Sequence, residues 1–175
     1  MKPVQFLLIV SAFFWGALSA AAESRDLPVR QGPIPGTTKR VPHVQIGAKA
    51  DPKTVAALVD RVSGIPGVEI RDTIISLPGA KGFWLGKDVP VARPKTIVAG
   101  REFAHVHPDG SLHASLPLAL AMQAVETGWA VNHPWANQRP GWEGFVMIFT
   151  PTNAEELDVV LDLVQASYNF VTGQE

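Results

Sequence analysis

Three of the five histidines in this chain fall in one short stretch, Phe103 to Leu116. An imidazole titrates near pH 6.5, so these rings suit general-base work near neutral pH. Three imidazoles on one surface could equally hold a transition metal with an open coordination position. Either chemistry needs the rings to converge, and the turn between them governs that. Pro108 pre-sets φ at the first loop position, Asp109 suits the second, and Gly110 supplies a positive φ. A three-residue loop ending in a left-handed glycine is a type I turn with a G1 bulge. That register pairs His107 with Ser111 and His105 with His113. Side chains alternate along strands and paired residues share a face. His105, His107 and His113 then share one face with Phe103, Ser111 and Ser115, and Ala104, Val106, Leu112, Ala114 and Leu116 take the other. A two-residue turn at Asp109-Gly110 would instead pair Val106 with His113 and split the cluster.

Other residues could join this face. His133 precedes Pro134 and should be extended. It lies among Trp129, Trp135 and Trp142, which either fill a core or wall a pocket for a flat ligand. Alternation carried back along the strand adds Arg101, which could orient an anion or pair with a carboxylate. The same alternation turns Glu102 away from His105, so no carboxylate is expected among the rings. His43 reads as a solvated loop histidine.

The elements around the hairpin follow from periodicity and capping. Asp51 caps a helix with Pro52 at its first position, and Val55, Leu58, Val59 and Val62 form its apolar stripe. Strand-like runs follow at Val68–Leu77 and Phe83–Leu85, with a further one at Thr96–Val98. A second helix spans Leu118–Thr127 and stops at Gly128. A buried strand is expected at Phe145–Phe149. Asn153 and Glu156 form a capping box for a last helix. The fold class is α+β: an antiparallel-dominated sheet, helices packed on one face, and the His-bearing hairpin at its centre.

The first residues carry Lys2, an apolar run from Val4 to Leu18 and the small residues Ser19-Ala20-Ala21-Ala22. This pattern predicts a cleaved signal peptide over residues 1–22, hence a periplasmic or secreted protein without a stable membrane anchor. Residues 23–50 read as a Pro/Gly-rich arm, extended or disordered, and 51–175 as the folded domain. The chain has no cysteine, which removes disulfides, thiol chemistry and cysteine metal sites. A net charge of −1 with no basic run argues against nucleic acid. The sequence specifies no oligomeric state.

The run Glu102-Phe103-Ala104-His105-Val106-His107-Pro108-Asp109-Gly110-Ser111-Leu112-His113, followed by Gly128-Trp129 and His133-Pro134, resembles the luciferase-domain family. The late strand ending Phe149-Thr150-Pro151 and the helix starting at Asn153 fit the same pattern, so the resemblance covers roughly residues 50–171. It implies, from the fungal members, oxidation of a hydroxylated α-pyrone by O2 without an added redox cofactor. The export signal separates this domain from fungal luciferin synthesis, so a role other than light emission is expected.

These observations support an exported small-molecule enzyme with oxygenase-like, cofactor-free chemistry on an enol or aromatic substrate. His105, His107, His113 and His133 would be catalytic. Arg101, Phe103, Ser111, Ser115, Trp129, Trp135 and Trp142 would bind the substrate. One alternative is a metal-dependent hydrolase or oxygenase using His105, His107 and His113. Another is a non-catalytic ligand-binding module of the cell envelope.

Overall fold

A computed structural model describes residues 26–47 and 50–174; the expected signal peptide lies outside the described residues. Its main feature is a six-stranded antiparallel sheet. The strands are β3 (Val68–Asp72), β4 (Lys81–Leu85), β5 (Glu102–Val106), β6 (Leu112–Ser115), β7 (Ala130–Asn132) and β8 (Phe145–Ile148). They are ordered β3-β4-β5-β6-β8-β7, so the His-bearing hairpin β5–β6 sits at the centre. Two further strands, β1 (Gly36–Thr37) and β2 (Gln45–Ile46), pair with each other. Among the described residues three α-helices complete the fold: α1 (Pro52–Ser63), α2 (Leu118–Glu126) and α3 (Ala154–Thr172). This is the α+β arrangement expected.

The helices end where capping chemistry directs. Asp51 accepts from the Lys53 amide, with Pro52 opening α1. Asn153 accepts from the Glu156 amide at 2.8 Å, and Gly173 closes α3 in the left-handed region. Helix α3 crosses β5 and β6 and packs against α1. Its Val160, Leu161, Val164 and Val171 share a continuous core with Phe83, Ala104, Val106, Leu112, Ala114, Val146 and Ile148 from the sheet. One sheet face is therefore sealed by helices, and the other is left for chemistry.

The hairpin adopts the three-residue register. His105 pairs with His113 and Val106 with Leu112. The His107 and Gly110 amides donate to Ser111 O and His107 O at 2.8 and 2.9 Å, with Gly110 at φ +84°. A Cβ on Gly110 would also meet the Ala50 Cβ at 2.8 Å, so glycine is required twice over.

Several expectations need correction. The strand expected at Val68–Leu77 ends at Asp72. The strand expected at Thr96–Val98 is absent: Pro94–Thr96 is a 3-10 turn, consistent with the φ that Pro94 imposes. The arm at 23–50 is docked, not disordered, over its described part. Arg30 forms a buried ion pair with Glu156 and donates to Thr150 O, and β1–β2 carries His43 into the molecule. The face assignment of Glu102 and Phe103 also fails. Phe83 pairs with Ala104 while the next residue, Trp84, pairs with Glu102. Phe103 is therefore an extra residue, a β-bulge that shifts alternation by one. Phe103 enters the core against Phe83 and Tyr168, and Glu102 joins His105 on the open face.

Candidate functional site

All five histidines meet on the open sheet face. His105 and His113 stand opposite each other on β5 and β6, and His107 follows at the end of β5. His133 comes from the loop after β7, and its amide donates to Phe145 O. His43 arrives from the arm. Each ring is at most 5% exposed. They line a cavity of about 190 Å³, with Trp135, Phe145, Val98, Val41 and the Ile75–Leu77 segment completing the wall. An apolar cavity of about 150 Å³ can hold benzene, so this one suits a single substituted ring.

The ring nitrogens form a connected network. His105 Nε2 lies 3.0 Å from His113 Nδ1, and His113 Nε2 lies 3.2 Å from His43 Nδ1. His105 Nδ1 lies 3.1 Å from Glu102 Oε1. That carboxylate also accepts from the Thr73 hydroxyl at 2.7 Å and the Ile74 amide at 3.0 Å. Gly82 faces His105 across β4–β5, and a Cβ there would sit 2.9 Å from Glu102 Cδ. Glycine leaves the space that the carboxylate fills.

Two other rings have their protons assigned by their partners. The Ser111 hydroxyl donates to Asp109 Oδ1 at 2.7 Å, so at 3.0 Å it accepts from His107 Nδ1–H. His107 Nε2 then carries a lone pair. The Trp135 amide donates to His133 Nδ1 at 3.0 Å, so neutral His133 carries its proton on Nε2. Burial first, and then the fields of neighbouring histidines, hold these rings neutral. His107 is pushed down to about 4, Asp109 opposing the shift, and His133 to about 3. His113 is held well below its ordinary value for the same reasons, and burial lowers His43.

Two groups could offer a metal three ring nitrogens within 4.8 Å of one another: His105, His107 and His113, or His43, His113 and His133. His113 belongs to both.

The expected site residues divide by position. His105, His107, His113, His133 and Trp135 line the cavity. Ser111 sits behind His107 as its anchor. Trp142 stacks on Trp135 with centroids 5.9 Å apart, backing the wall. Arg101 donates to the carbonyls of Leu85, Gly86 and Val89, so its guanidinium ties the loop after β4. Ser115 donates to Thr96 O. Phe103 and Trp129 belong to the hydrophobic core, and the Trp129 indole donates to Pro28 O. Sequence reasoning missed His43 and Glu102. His43 is joined to the cluster by a contact 70 residues away in sequence, and Glu102 is turned inward by the bulge.

The luciferase-domain family model matches residues 100–167. The luciferase of Armillaria gallica is 32% identical over 167 residues, covering 84% of this chain and 62% of that protein. The luciferase of Neonothopanus nambi is 30% identical over 168 residues, covering 84% of this chain and 61% of that protein. The chain thus spans about three-fifths of the length of these curated relatives. No solved structure matches significantly.

Proposed function

The chain belongs to the luciferase-domain family, and from that premise we propose that it is an exported enzyme acting on a small enol or hydroxylated aromatic ring. The reaction is oxygenase-like, uses O2 without an added redox cofactor, and has a role other than light emission. The observation that carries this reading is the histidine cavity itself. A buried, neutral imidazole is a base ready to take a proton. His107 Nε2 offers a lone pair and His133 Nε2 an N–H in the same small cavity. One can accept an enol proton while the other donates to the oxyanion that forms. Exclusion of water protects the electron-rich enolate until it meets O2. The cavity volume limits the substrate to about one ring with short substituents.

The test is O2 uptake with product mass spectrometry on a panel of hydroxylated α-pyrones and monocyclic enols. Turnover should be lost in His107→Gln and His133→Gln while both retain a cooperative thermal melt. Turnover surviving in both variants refutes the mechanism. Ligand-induced stabilisation across the panel with no product would favour a binding module instead.

A second reading has its own support: His105 and His107, two of the nitrogen donors, are backed by Glu102 and Ser111, as ligating histidines commonly are. On that reading the protein is a metal-dependent hydrolase or oxygenase. Elemental analysis of tag-free protein decides between the two, since a resident metal requires near-stoichiometric content.

A further inference from the structure

We propose that Glu102, His105, His113 and His43 form a proton relay, carrying the proton of a bound substrate from the cavity to a buried carboxylate. This rests on the enol-deprotonation reading above and moves the accepting atom from His107 Nε2 to His43 Nε2, leaving His107 to hold the substrate through its lone pair.

The three rings and the carboxylate are connected head to tail. Glu102 Oε1 meets His105 Nδ1, His105 Nε2 meets His113 Nδ1, and His113 Nε2 meets His43 Nδ1, at 3.1, 3.0 and 3.2 Å. Every ring enters through Nδ1 and leaves through Nε2. The His113 and His43 rings are 12° from parallel with centroids 5.3 Å apart. With nitrogens at 3.2 Å, that geometry is end-to-end rather than face-to-face, as an N–H···N bond requires.

With His105 neutral, as the relay requires, its carboxylate partner sets every proton. The Glu102 carboxylate takes donors from Thr73 and Ile74 and offers only lone pairs. His105 must therefore donate from Nδ1. A neutral imidazole has one N–H, so His105 Nε2 is bare and needs the Nδ1–H of His113. His113 Nε2 is then bare and accepts the Nδ1–H of His43. His43 lines the cavity, and Nε2 is the atom its chain partner leaves for a ligand.

The transfer balances. A substrate O–H proton passes to His43 Nε2, the His43 Nδ1 proton to His113 Nε2, the His113 Nδ1 proton to His105 Nε2, and the His105 Nδ1 proton to Glu102 Oε1. The result is an enolate in the cavity, three neutral imidazoles of inverted tautomer, and a neutral carboxylic acid. No imidazolium remains beside the substrate. His43 is the catalytic residue of the relay; Glu102, His105 and His113 are positioning residues acting through it. A metal at His105, His107 and His113 would need a bare Nδ1 on His113 if Nε2 of that ring stays with His43, the opposite tautomer.

The test is a long-range 1H–15N correlation spectrum of the full 15N-labelled chain at pH 7.5, dialysed against EDTA. Single His→Gln variants assign the rings. His43, His105 and His113 should each carry the proton on Nδ1, and His133 on Nε2. A bare Nδ1 on any of the first three overturns the relay. Glu102→Gln adds a stricter condition. Its amide oxygen must serve the Ile74 amide, so its NH2 faces His105 Nδ1. All three tautomers should then invert, out to His43, while His107 keeps its Nδ1 proton through Ser111. Inversion that stops short of His43 overturns the relay. If the variant fails to fold, the wild-type tautomers decide alone. Turnover with a bare Nδ1 on His113 removes the relay and leaves the enzyme reading standing. The full tautomer pattern with no turnover on the hydroxypyrone panel removes the substrate reading instead.

Discussion

Acid should destabilise this fold well above the range where carboxylates protonate. His107 and His133 titrate near 4 and 3 in the folded chain because they are buried among other imidazoles, against an ordinary value of 6.5. As pH falls through 6.5 the unfolded chain takes up a proton on each ring, and the folded chain does not. The unfolded state thus binds more protons throughout that window, so stability rises with pH and is lost on acidification. Each ring contributes about 1.4 kcal/mol per pH unit. Between pH 7 and 5 that integrates to about 2 kcal/mol per ring, because the unfolded ring is only partly protonated above 6.5, or about 4 kcal/mol for the two. His43 and His113 are shifted the same way and add to the loss. The carboxyl of Glu156 is held low by Arg30 and Thr152 against its burial, and loses its stabilisation only below about 4.5, outside the window. Against a typical domain stability of about 5–15 kcal/mol, a loss of about 4 kcal/mol is large. Urea denaturation at pH 7, 6 and 5, at fixed ionic strength with EDTA, measures it directly. His133→Gln should reduce the slope by about one proton. Stability that is flat or increases from pH 7 to 5 would refute the claim that the folded rings are neutral.

Two further outcomes follow from the geometry. Gly82→Ala puts a Cβ 2.9 Å from Glu102 Cδ and 2.6 Å from Trp84 Nε1, so the carboxylate must leave its donors at a cost of about 1–3 kcal/mol; thermal denaturation should register that loss, and an unchanged melt would contradict the packing. Arg30→Met removes one partner of a buried ion pair from Glu156 and should cost about 3–5 kcal/mol, read from urea midpoints. Faster proteolysis in the segment before α1 should accompany it.

What the sequence made legible is local. Pro108, Asp109 and Gly110 dictate the turn, and the turn dictates that His105 faces His113. Asp51, Pro52 and Asn153 mark helix starts because capping acts within a few residues. Positions decided by distant contacts were not legible. The Phe103 bulge exists because Thr73 and Ile74, about thirty residues earlier, bind Glu102 while the core takes the extra side chain. No local signal near Phe103 announces either partner. Trp129 and Trp135 look alike in sequence, yet Trp129 is drawn into the core by Pro28 and Arg30 of the arm, while Trp135 stays with His133. The arm hid its role for the same reason: Pro and Gly content predicts little order, and its docking rests on Arg30, Glu156 and His43.

The cavity takes one of its five imidazoles from a segment that precedes α1, outside the six-stranded sheet. The two-residue ladder β1–β2, the Arg30–Glu156 pair and the His43–His113 contact are among the interactions that hold this segment. Because few of these contacts belong to the six-stranded sheet, releasing the segment would be a local opening that need not melt the sheet. Ligand affinity measured on the whole chain is scaled by the fraction of molecules with the segment seated. A ligand that touches His43 therefore stabilises the segment as well as filling the cavity, and the two free energies are linked.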